Sequence, residues 1–61
     1  MTRIEYIRTP SNEFIMFTTN DIANGLIDVF KYYNDANKTF LFTIKDTDLV
    51  YIAQCFKGGI L

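Results

Sequence analysis

Three carboxylates, Asp21, Asp28 and Asp35, recur at intervals of seven, and two more, Asp46 and Asp48, sit two residues apart. Carboxylates are the first groups to weigh for acid–base chemistry, because the chain contains no His. Every triad with an imidazole base is thereby excluded, and with it the commonest metal ligand near neutral pH. A general base has to be a carboxylate of raised pKa, a Lys or a Tyr. Paired acids do such work when burial raises one of them. Asp46 and Asp48 lie instead in a turn beside a possible helix start, where capping explains them better. The Asp21/Asp28/Asp35 series reads as one stripe of a helix: a docking edge for a basic partner, or a solvated face shared with Asn24 and Lys31.

The remaining reactive groups are few. Cys55 is the single cysteine, so no intramolecular disulfide forms, which suits a reducing cytosol. A thiol needs a base or an electropositive setting to become thiolate, and Lys57 is the only cation near it in sequence; a small buried residue is the better reading. Gly58-Gly59 lacks the spacing of a phosphate loop and reads as a helix stop. No metal site, no cofactor and no enzymatic activity are expected.

The elements that would position these groups fit one small domain, residues 1–61. Arg3–Arg8 and Glu13–Thr19 read as a β-hairpin around Thr9-Pro10-Ser11-Asn12, whose residues favour turns. In the second strand Phe14 and Met16 alternate with Ile15 and Phe17, so both of its faces are apolar, which implies cover on both sides. Thr19 and Asn20 are N-cap candidates, and Ile22, Leu26, Val29, Phe30 and Tyr33 then recur at helical steps. This expected helix is apolar over about 220°, wider than one sheet face requires, and it carries Gly25 inside that arc. Asn34–Asn37 ends it. Thr39–Lys45 is the clearest strand, with Phe40, Phe42 and Ile44 on one face. Residues 46–59 read as a helix capped by Asp46 or Thr47, burying Leu49, Ile52, Ala53 and Phe56, with Lys57 at its end and Gly58 as a left-handed stop. They also read as a strand, but both ends carry helix punctuation. The expected fold is α+β, a small antiparallel sheet packed by a helix, in the order β-β-α-β-α, with β-β-α-β-β as the alternative.

Composition sets the functional expectation. Lys and Arg number 6 against 7 acids, and the net charge of −1 gives no electrostatic attraction to phosphate backbones or anionic lipid. The N-terminal MTRIEYIRT lacks the apolar stretch of a secretory leader. The longest apolar run, Leu49–Ala53, is far short of the roughly 20 residues of a membrane span. Ile, Phe, Tyr, Asn and Lys make up 27 residues against 9 of Ala, Gly, Pro and Arg, a bias towards AT-rich codons common in short phage and mobile-element genes. A domain of this size, with ten Phe and Tyr, has more apolar surface than a stapleless interior absorbs.

The expectation is therefore a small cytosolic protein-binding module, a phage- or mobile-element-encoded inhibitor or modulator acting sterically on a partner protein, on itself as a homodimer, or on both. Asp21, Ile27, Asp28, Tyr32 and Asp35 are its candidate contact residues, Tyr32 because a ring at the edge of an apolar arc makes an interface anchor. The alternative is a nucleic-acid-binding regulator that stacks bases on the sheet aromatics Tyr6, Phe14, Phe17, Phe40 and Phe42 beside Arg3, Arg8, Lys38 and Lys45. In that alternative those rings are displayed; otherwise they form the core under the helix.

Overall fold

A computed structural model describes residues 4–21 and 23–58, apart from the side chain of Asp21. The expectations placed on Arg3, Ile22 and Gly59 lie outside the described residues. Four strands come first, β1 (Ile4–Arg8), β2 (Phe14–Asp21), β3 (Leu26–Asn34) and β4 (Asn37–Lys45). A short 3₁₀ turn over Asp46–Asp48 leads into the helix α1 (Leu49–Lys57). The strands pair antiparallel in the order β1-β2-β3-β4, a meander. The fold is α+β, as composition and patterning imply, but neither β-β-α-β-α nor β-β-α-β-β is its order. All the strands precede the single described helix.

The correction concerns residues 20–34. Where a helix is expected, Asn20 and Asp21 end β2, residues 23–25 form a turn, and β3 follows. Its helical spacing and a strand alternation coexist because both faces of this segment are apolar. Ile27 and Val29 lie on one face; Leu26, Phe30 and Tyr32 lie on the other. When two faces are apolar, periodicity does not decide, and β-branched and aromatic content does. Asn24-Gly25 is also a hairpin signal. Gly25 adopts φ +64°, and a Cβ there would meet the Asp46 carboxyl group at 3.0 Å. The Gly25 carbonyl accepts a hydrogen bond from the Asp46 N–H at 2.7 Å. Gly25 therefore serves a left-handed turn pressed against the start of the 3₁₀ segment, not a close approach within a helix.

The other turns follow from local chemistry. In the β1–β2 loop the Thr9 N–H donates to the Glu13 carbonyl, the Asn12 N–H donates to the Thr9 carbonyl, and Asn12 takes φ 67°, which Asn tolerates. At the β3–β4 end, the Asn34 side-chain oxygen accepts from the backbone N–H groups of Ala36 and Asn37, both at 2.9 Å, so these residues end a strand and not a helix.

α1 buries the face expected of it. Leu49, Ile52, Ala53 and Phe56 pack on a core of Ile15, Phe17, Ile27 and Val29, joined by Ile7, Phe42 and Ile44. Phe56 is the wedge: its ring meets Phe17 edge-on and stacks on Phe42, both with centroids 6.3 Å apart. The helix ends differ in detail from expectation. Asp48 occupies the N-cap without a side-chain cap hydrogen bond, and Gly58 is right-handed at φ −83°, its N–H still donating to the Gln54 carbonyl.

Gly25→Ala places a side chain at positive φ, a strain of about 1–2 kcal/mol, and against the Asp46 carboxyl group. Urea denaturation followed by circular dichroism is expected to show that loss; an unchanged midpoint contradicts this account of the turn.

The candidate interface: an uncovered sheet face

Because side chains alternate along a strand, the register sorts the sheet into two surfaces. α1 covers one. The other is built of three cross-strand rows. Ile4, Thr18, Asp28 and Thr43 form the first, Tyr6, Met16, Phe30 and Phe40 the second, and Arg8, Phe14, Tyr32 and Lys38 the third. No described element packs on this surface. Tyr6 is 49% exposed and Phe40 54%, with Ile4 and Phe14 also open to solvent. Met16 lies at the centre and is only 4% exposed, screened by the rings around it.

A bulge divides the aromatics of β4 between the two surfaces. Val29 pairs with Phe42, but the next β3 residue, Phe30, pairs with Phe40, leaving Leu41 as the extra residue. A bulge of this kind re-aims side chains. Phe42 turns under the helix, while Phe40 meets Phe30 edge-on, with centroids 5.6 Å apart. The expectation that Phe40 and Phe42 share a face is thus corrected. The rest of the open surface is knitted the same way. The Tyr6 and Tyr32 rings lie 5.1 Å apart. The Arg8 guanidinium sits 5.0 Å from the Phe14 centroid, and the Lys38 ammonium 6.0 Å from that of Phe30.

The expected contact residues separate accordingly. Asp28 and Tyr32 both reach the open surface, through strand alternation and not through a helical stripe. The Asp28 carboxylate accepts hydrogen bonds from Thr43 Oγ1 at 2.7 Å and Asn20 Nδ2 at 3.0 Å. Asp35 stands in the β3–β4 turn and accepts a 2.8 Å hydrogen bond from the Tyr32 hydroxyl. Ile27 faces the other way, into the core, at 9% exposure. Asp21 ends β2, and its side chain lies outside the described residues. Asp28 and Asp35 do not share a helical stripe, because β3 is a strand. Among the cations of the nucleic-acid alternative, Arg8 and Lys38 flank the rings, and Lys45 pairs with Leu26 at the far end of the sheet.

Residue patterning alone undervalued Tyr6, Phe14 and Phe40 as surface groups. The available signal was the apolar character of both faces of β2, which one short helix cannot cover.

On the helix side, beyond the Phe56 end of α1, a groove of about 420 Å³ lies between the Pro10 turn and Leu41. Lys31 and Glu13 pair across it. Hydrogen bonding to Lys31, then to Ser11, holds the Glu13 carboxyl below its ordinary pKa. Cys55 is a buried, reduced thiol.

The hydrogen bond to Asp35 is the chief reason the Tyr32 phenol is pushed up from 10.0 to about 12, with partial desolvation of the phenol adding to it. A proton held more tightly in the folded chain stabilises it below the unfolded pKa of 10.0; that contribution disappears as pH rises towards about 12. Phenolate absorbance is expected to show a late-titrating step that both Tyr32→Phe and Asp35→Asn remove. Persistence of that step in Tyr32→Phe contradicts the assignment.

No family model, curated protein or solved structure matches the chain, so its function has to be read from this surface.

Proposed function

We propose that this chain is a non-catalytic binding module that acts by laying its open sheet face against another polypeptide and covering it. The observation that carries the reading is the middle row, Tyr6, Met16, Phe30 and Phe40, an apolar strip with two half-exposed rings. Contiguous exposed apolar surface on a small domain marks an interaction site, and aromatic residues are the commonest anchors of such sites. The mechanism is steric: whatever surface the rings cover is denied to other molecules. A phage- or mobile-element-encoded modulator of a cytosolic partner fits this mode of action, and a reducing compartment suits one unpaired thiol. No described helix is long and apolar enough to cross a membrane.

The charge pattern favours protein over nucleic acid. Arg8 and Lys38 are engaged over rings, and Asp28 and Asp35 stand on or beside the same surface. The whole chain carries −1. A site for a phosphate backbone is a basic groove with stacking rings, and only the rings are present in full.

Photocrosslinking tests the proposal. Benzoylphenylalanine replaces Phe40 in one chain and Tyr51, on the solvent side of α1, in another, each expressed in the cell that naturally carries the gene. Protein adducts are expected at position 40 and absent at position 51. Adducts to nucleic acid at position 40, or no adducts there, overturn the reading.

A further inference from the structure

We infer that the polypeptide covering the open face is a second copy of this chain, related by a two-fold axis lying along the Tyr6–Met16–Phe30–Phe40 row. The inference rests on the reading of that face as the contact surface and names its occupant.

Three observations select a copy. The first is charge placement. Cations occupy one outer row, Arg8 and Lys38, and the acid Asp28 occupies the other, with the apolar row between them. Rotation about the middle row lays each outer row over the opposite one. Lys38 of one copy then approaches the Asp28–Thr43 pair of the other, and like charges stay apart. A surface that is self-complementary under a two-fold operation is what an isologous dimer requires. Turning the copies about an axis along the strands would instead set Arg8 over Lys38.

The second observation is area. Four strands about 4.8 Å apart and five residues long span about 300 Å² in projection, and roughly twice that as accessible surface over protruding rings. About 600 Å² per copy reaches the lower edge of stable protein interfaces. A contact of this size is expected to be reversible and not permanent.

The third observation weighs against pairing through the longer of the two edge strands. β4 is an edge strand of nine residues, a template for pairing edge to edge. The Leu41 bulge interrupts its hydrogen-bonding pattern, and Lys38 and Lys45 stand near its ends. Bulges and edge lysines are the devices that discourage such pairing. Face-to-face packing keeps both sheets intact and gives layers of helix, sheet, sheet and helix.

One consequence is regulatory. A foreign partner reaches the rings only on a dissociated copy, so partner binding and self-association compete. The apparent affinity for the partner falls with the fraction of chain held as dimer.

Sedimentation of the full chain over a concentration series tests this, with circular dichroism confirming that each variant is folded. The wild type is expected to pass from monomer to dimer. Phe40→Glu and Lys38→Glu are each expected to weaken association at least tenfold, and Tyr51→Glu to leave it unchanged. Combining Lys38→Glu with Asp28→Lys is expected to recover part of the loss. A dimer that survives Phe40→Glu overturns the inference in favour of edge pairing. A wild-type monomer at every concentration also overturns it. In that case protein adducts at position 40 of a mass other than the chain's own preserve the contact surface, and their absence removes both. If Phe40→Glu does not fold, the decision passes to isotope-filtered contacts between labelled and unlabelled wild-type chains. Contacts between Tyr6 or Phe40 rings across copies support the dimer, and contacts confined to β4 backbones contradict it.

Discussion

One short helix faces a sheet that is apolar on both sides, and the rest of the structure follows from that mismatch. α1 spans nine residues, about 14 Å at 1.5 Å per residue, against strands that run about 30 Å. It closes one surface by setting Phe56 between Phe17 and Phe42 and bringing Leu49 and Ile52 onto Val29 and its neighbours. No described element is left for the other surface. The rings there turn to one another, Tyr6 to Tyr32 and Phe30 to Phe40, and to the cations of Arg8 and Lys38. Such contacts shelter Met16 but leave Tyr6 and Phe40 half in water.

The bulge at Leu41 links fold to function. It lets one strand send Phe42 to the core and Phe40 to the outside, so successive aromatics serve two different surfaces. It also twists and interrupts an edge that would otherwise invite pairing. Polar bonds set the limits of the open surface: Thr43 and Asn20 hold Asp28 at one end, and Asp35 holds the Tyr32 hydroxyl at the other. Each restrains a side chain before any partner arrives, and side chains already restrained lose less entropy on binding.

Much of this was legible in the residues, and the failures have physical causes. The β1–β2 hairpin followed from Pro10, Ser11 and Asn12, and β4 from the alternation of Thr39–Lys45. The buried face of α1 followed from the spacing of Leu49, Ile52, Ala53 and Phe56. β3 did not follow, because a segment apolar on both sides satisfies a helical and a strand period at once. Its width as a helix, about 220° of apolar arc, was the trace of that two-sidedness, and Asn24-Gly25 was the turn that preceded it. The candidate residues inherited the error unevenly. Asp28 and Tyr32 are four apart, so they share a face in a strand as well as in a helix, and both lie on the open surface. Ile27, one position away, is turned inward. No local signal located the Leu41 bulge, since it depends on how β3 and β4 pair.

The central claim is that the surface opposite α1 is where this chain meets a second copy of itself. Amide and aromatic NMR shifts followed over a dilution series measure this residue by residue. Changes confined to the surface of Tyr6, Phe14, Phe30, Tyr32 and Phe40, with Val50 and Tyr51 still, are the predicted outcome. Shifts that stay constant on that surface at all concentrations, or that move on the outer side of α1 instead, contradict the account.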